Sequence, residues 1–142
     1  MLQMKKKIND KMFVFAINSL PNIAYQEMMN TKKQFFKTDG IECFHGYHSF
    51  VLGEVTLEVA HEIRVKLAKK LLGDKYQVIV ATHLNTANIN SHFVLNSISF
   101  KDGKKFTNRN KDYNNMQYES NKLYKKYGLK KVFPQNIIIL NM

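Results

Sequence analysis

With 142 residues, 44% of them hydrophobic and 23% charged, the chain is sized for one domain that buries its own core, and it carries no internal repeat or linker. No apolar run reaches the roughly 20 residues of a membrane span, and a lone Cys43 leaves no internal disulfide, as a reducing cytoplasm would favour. The net charge of +11 points to polyanionic partners, although a lysine- and asparagine-rich composition alone would also raise it.

Lys5-Lys6-Lys7 precede an apolar run from Met12 to Leu20, but Asn18 interrupts it and no small-residue cleavage site follows, so a secretory leader is not expected. Met12 to Ile17 predicts a first strand, ended by Ser19-Leu20-Pro21-Asn22. A helix follows from about Ile23 to Phe35 or Phe36, with Ile23, Ala24, Met28 and Phe35 as its apolar stripe. After a turn at Thr38-Asp39-Gly40, Ile41 to Val51 predicts a strand in which Cys43, His45, Tyr47 and Ser49 alternate with Glu42, Phe44, Gly46 and His48. Cys43 is expected as a small buried hydrophobe. His45 and His48 must face opposite sides, so they cannot both join one site, and each is expected to be packed or simply exposed.

Thr56 to Leu72 is the clearest helix. Thr56 is placed to cap it, Ala60, Ile63, Leu67, Ala68 and Leu71 share one face, and Gly73 stops it. His61, beside Glu62, reads as a surface residue. Tyr76 to Thr82 is almost continuously apolar and is expected as a buried strand; His92 to Phe100 is another, and Asp102-Gly103 is a turn able to join a hairpin. Asp112 to Tyr127 predicts a last helix with Met116, Leu123 and Tyr127 inward and Gly128 as its stop; Tyr113 and Tyr118 suit either packing or base stacking. Beyond Pro134, Asn136 to Leu140 has the character of an edge strand. The expected fold class is α+β, a mainly antiparallel β-sheet with helices packed on one face, in a single domain spanning residues 1–142.

The chemistry concentrates where two strands should pair. His83 closes one apolar run and His92 opens the next, so pairing brings two imidazoles to one sheet face, as a metal site on a sheet requires. Asn90 lies two residues before His92 and shares its face. Its amide oxygen suits hard cations such as magnesium better than softer metals, and asparagine is also an ordinary turn residue. Glu54 reads either as a carboxylate orienting a histidine or as a plain loop acid. Lys104, Lys105, Arg109 and Lys111 follow the histidine strand and suit phosphate contacts that position a nucleic acid without reading its sequence.

Several segments in order resemble one family. They are Tyr25-Gln26-Glu27-Met28-Met29 with Thr31-Lys32-Lys33 and Lys37-Thr38-Asp39-Gly40, then His45-Gly46-Tyr47-His48-Ser49-Phe50 with Gly53-Glu54-Val55-Thr56. His83-Leu84-Asn85-Thr86 and Asn88-Ile89-Asn90-Ser91-His92-Phe93-Val94-Leu95-Asn96-Ser97 follow, and then Phe100-Lys101-Asp102-Gly103-Lys104-Lys105-Phe106. Together, over about residues 12–133, they resemble the relaxase/mobilisation nucleases, HUH-type endonucleases that nick plasmid DNA. The resemblance implies a divalent metal, magnesium or manganese, held at the positions of His83, Asn90 and His92, with Asn88 in place of a further histidine. It implies single-stranded transfer-origin DNA as partner, with accessory mobilisation proteins, no membrane, and a cytoplasmic location.

Two departures accompany it. Asn90 stands where the family has a ligating histidine. The family's nucleophilic tyrosine, which takes up a 5′-phosphate in a covalent link, belongs to a segment upstream of this chain's start, so no catalytic residue is assigned. Tyr25 is expected to be packing or surface. The tail at residues 134–142 is atypical, as in a truncated copy. The expectation is a DNA-binding relaxase domain whose metal-dependent nicking is impaired. The alternatives are a non-catalytic DNA-binding remnant of a mobilisation protein, or an interaction protein whose basic charge is incidental.

Overall fold

A computed structural model describes residues 6–9, 12–40, 43–51, 53–84, 88–107, 110–129 and 138–141. Its strands are β1 (Lys6–Asn9), β2 (Met12–Ile17), β3 (Cys43–Val51), β4 (Val78–Leu84), β5 (Asn88–Asn96) and β6 (Ile138–Asn141). The helices are α1 (Ala24–Gln34, after a 3-10 turn at Pro21–Ile23), α2 (Leu57–Leu72) and α3 (Asn110–Lys126). The strands form one sheet in the order β1-β2-β4-β5-β3-β6, and every pairing is antiparallel. The expected α+β class holds, and β6 takes the edge position anticipated for the C-terminal run. The β1 strand, a polar segment without apolar alternation, was not foreseen.

Period-two alternation gives the sheet its two faces. Phe13, Phe15 and Ile17 of β2, Phe44 and Phe50 of β3, Val78 and Val80 of β4, and Ile89, Phe93 and Leu95 of β5 all point to the helix-covered face and are buried. Against them pack Ala60, Ile63, Leu67 and Ala68 of α2, with Met116 and Tyr124 of α3. The cap at α2 is as expected, with the Thr56 side chain accepting a hydrogen bond from the Val59 N–H. The β4 strand corrects one expectation: only Val78, Val80 and Thr82 are buried, while Ile79, Ala81, His83 and Leu84 are half-buried. Its continuous apolar character reflects two different faces, one under the helices and one near α1.

The first helix lies at the end of the sheet where β4 begins and β5 ends. Asn96 donates from Nδ2 to the Met28 carbonyl and to Gln77 Oε1, and Thr31 donates to Gln77 Oε1. Ala24 and Met28 are buried as expected, whereas Ile23 is exposed and Lys32 is buried. Cys43 is half-buried and lines a hollow between α1 and the sheet with Met28, Ile79 and Val94. Gly103 has a φ of +69° and sits under the Phe35 ring, so both its backbone conformation and the close approach require glycine.

Candidate metal centre on the open sheet face

The face away from α2 and α3 carries His45, His83 and His92. In the β4–β5 hairpin His83 lies opposite Asn90, and His92 lies opposite Ala81. The expected pairing of the two strands holds, and only the bounds are corrected: β5 begins at Asn88 rather than His92, and only residues 85–87 separate the two strands. His83 and His92 are therefore diagonal neighbours, a separation that long side chains bridge. Ala81 has no atoms beyond Cβ to stand between them. Their Nε2 atoms are 3.1 Å apart, and the rings lie 5.2 Å apart at 6°.

On the other side of His92 runs β3, with Tyr47 opposite His92 and His45 opposite Val94. His45 Nε2 is 2.9 Å from His92 Nδ1, with the rings 5.1 Å apart at 14°. Tyr47 is exposed, and its ring lies 6.1 Å from that of His92. The result is a row of three imidazoles across three strands, all half-buried. Burial pushes the His92 imidazole below its ordinary pKa, and the neighbouring His45 and His83 push it the same way.

Whether these residues suit a cation can be judged from the donor atoms. Metal–nitrogen bonds of about 2.1 Å set two ligating nitrogens roughly 3.0 to 3.4 Å apart for angles between 90° and tetrahedral. The gap between His83 Nε2 and His92 Nε2 falls inside that range, so two imidazoles fit. Asn90 contributes less: its Oδ1 accepts a hydrogen bond from the Ser49 hydroxyl of β3. Among the described residues, no group of three or more His, Cys, Asp or Glu side chains is arranged to hold a metal. His92 explains this for its own neighbours, since it aims a different nitrogen at each.

Other anticipated residues lie elsewhere. Lys104 and Lys105 are exposed but sit past the far end of β5, where Ile98 bridges to Lys105. Ile98 is six residues beyond His92, roughly 20 Å of extended chain. There they line a cleft with Lys75, Tyr76 and three carboxylates, Asp74, Asp102 and Asp112. Arg109 lies outside the described residues, as does the side chain of Lys111. Burial chiefly, and the Glu54 carboxylate in addition, raise the pKa of the Tyr124 hydroxyl on the helix-covered side. Tyr25 and Tyr118 are exposed.

His61 overturns its surface assignment. It is 2% exposed, and its Nδ1 is 2.9 Å from Thr82 Oγ1, which in turn is 3.0 Å from Ser91 Oγ. The residue that sequence reasoning missed is His45. Alternation placed it with Tyr47 and Ser49, but only the register of β3 on β5 sets it beside His92.

The family model described as "Relaxase: MobA/VirD2-like, nuclease domain" matches residues 1–129. Two proteins of Staphylococcus aureus, each named Protein rlx, are 32% and 29% identical over 114 residues; that is 80% of this chain and 34% and 36% of theirs. The Group II intron-interrupted relaxase LtrB of Lactococcus lactis subsp. cremoris is 30% identical over 89 residues, 54% of this chain and 16% of its own length. The chain thus spans about a third of the length of the rlx relatives it matches. No solved structure matches it.

Proposed function

The chain belongs to the MobA/VirD2-like relaxase nuclease family, and from that premise we propose that it is a mobilisation relaxase domain that binds single-stranded transfer-origin DNA beside a divalent cation, magnesium or manganese. The observation that carries the reading is the approach of His83 Nε2 to His92 Nε2 at 3.1 Å, two ring nitrogens from paired strands at one half-exposed point. His83 and His92 would hold the ion, with Asn90 as a weaker oxygen donor once its amide releases Ser49. A bound cation supplies Lewis-acid polarisation of a phosphodiester oxygen. The protein's own contribution is orientation: a half-buried imidazole pair, an exposed Tyr47 ring able to stack on a base, and a charge of +11 that attracts the strand. Lys104 and Lys105, with Arg109 and Lys111, serve in this reading as outlying phosphate contacts, away from the cation.

Nicking by tyrosine transesterification is the reaction proposed for the family, and it is weakened here because an amide replaces an imidazole in the ligand set. Titration calorimetry with manganese tests the metal: saturable binding that His92→Ala abolishes supports it, and no saturable heat overturns it. Filter binding of single-stranded DNA across a salt series tests the partner. Log affinity should fall with log salt at a slope of about −0.7 per phosphate neutralised. A flat profile rejects DNA binding. Binding of DNA without any manganese heat favours instead a non-catalytic DNA-binding remnant, the reading that Asn90 invites.

A further inference from the structure

We propose that His45 is a positioning residue: by accepting a hydrogen bond from His92 Nδ1–H, it fixes the His92 tautomer and leaves the His92 Nε2 lone pair facing His83. The inference rests on the reading of His83 and His92 as the cation's ligands.

A neutral imidazole has one N–H and one lone pair, and the hydrogen bond made at one nitrogen decides which is which. His92 has a partner at each nitrogen, His45 Nε2 at 2.9 Å from Nδ1 and His83 Nε2 at 3.1 Å from Nε2. With the proton on Nε2, it would occupy the gap between His83 and His92 and block a shared ion. With the proton on Nδ1, it points at His45, whose Nε2 accepts while its own proton sits on Nδ1. Only the second arrangement leaves His92 able to ligate beside His83.

A ligating histidine ordinarily donates its second N–H to a carboxylate, a backbone carbonyl or water, and that outer partner governs ring orientation and basicity. Among the described residues no carboxylate is hydrogen-bonded to His92 or His45, and an imidazole from the adjacent strand takes that place. The near-parallel packing of the two rings at 14° restricts rotation of His92 as well. His45 is thus built into the site without being able to ligate there in this arrangement, because it faces the opposite nitrogen of His92.

The test compares the native chain with His45→Phe, which keeps a ring but has no acceptor, and His45→Gln, whose amide oxygen can reach about where Nε2 stood. Nitrogen-15 NMR of the imidazoles in the metal-free protein reads the tautomer directly. The expected result is predominantly Nδ1–H at His92 in the native chain and in His45→Gln, and a mixture with Nε2–H in His45→Phe. Manganese titration should show affinity about 10- to 100-fold weaker in His45→Phe and largely recovered in His45→Gln. An Nε2–H tautomer in the native protein overturns the proposal, as does a Gln variant no better than Phe. His83→Ala is the separate check on the underlying metal reading: undiminished manganese binding there sinks that reading, while the NMR arm still reports on the His45–His92 pair.

Discussion

The two faces of the β4–β5 hairpin use histidine in opposite ways. On the covered face, His61 meets hydroxyls: Thr82 at 2.9 Å and, through it, Ser91, all buried. A hydroxyl rotates to donate or accept, so this row is a way of satisfying polar atoms under α2. One residue along each strand, on the open face, imidazole meets imidazole. Burial, with His45 and His83 alongside, disfavours a charge on His92, and the rings collect lone pairs at a half-exposed point, which packing does not require and a cation can use. A histidine's meaning here follows from what its neighbours can do with a proton.

The contrast can be broken from either side. The largest effect belongs to the covered face, where Ile63→Ala should cost about 2–5 kcal/mol in urea unfolding, because Ile63 is completely buried. Thr82→Val comes next at about 1–3 kcal/mol, since it strips the hydroxyl that links His61 to Ser91. Its strand neighbour His83→Ala should change stability by about 0.5 kcal/mol or less. Equal costs for these two adjacent substitutions would erase the distinction between the faces. On the open face, Asn90→His should tighten manganese binding about tenfold, on the order of 1.4 kcal/mol by calorimetry. No gain would mean that position does not face the ion.

The smallest effect is in pH. Because the folded-state pKa of His92 lies below 6.5, the folded chain resists a proton that the unfolded chain accepts. Stability is therefore unaffected well above that value and declines as pH falls through 6.5 toward the lowered pKa. The decline should be shallower in His92→Gln, measured as unfolding midpoints across that range.

Much of this was legible in the residues. The β2 strand, the Thr56-capped α2 and the shared side of His83 and His92 follow from short-range periodicity, which needs no partner to be read; of the residues expected inward on α3, Met116 is buried, whereas Leu123 and Tyr127 are half-buried and Tyr124 fills the core instead. His61 reads as a surface residue from its helix alone, because the Thr82 hydroxyl that meets it comes from a neighbouring strand and leaves no mark in helical periodicity. Lys104 and Lys105 follow the histidine strand in the chain, and the sheet sets them past its far end.

By itself the sequence determined the element types other than β1, the two-sidedness of the apolar strands and the family, since these depend on local alternation, capping and motif order. Tertiary structure alone decided which residues meet: the one-position differences in strand register that put His83 against Asn90, Ala81 against His92, and His45 within reach of His92. Register is a property of paired strands, set by which apolar side chains must share the covered face, and no single strand contains it.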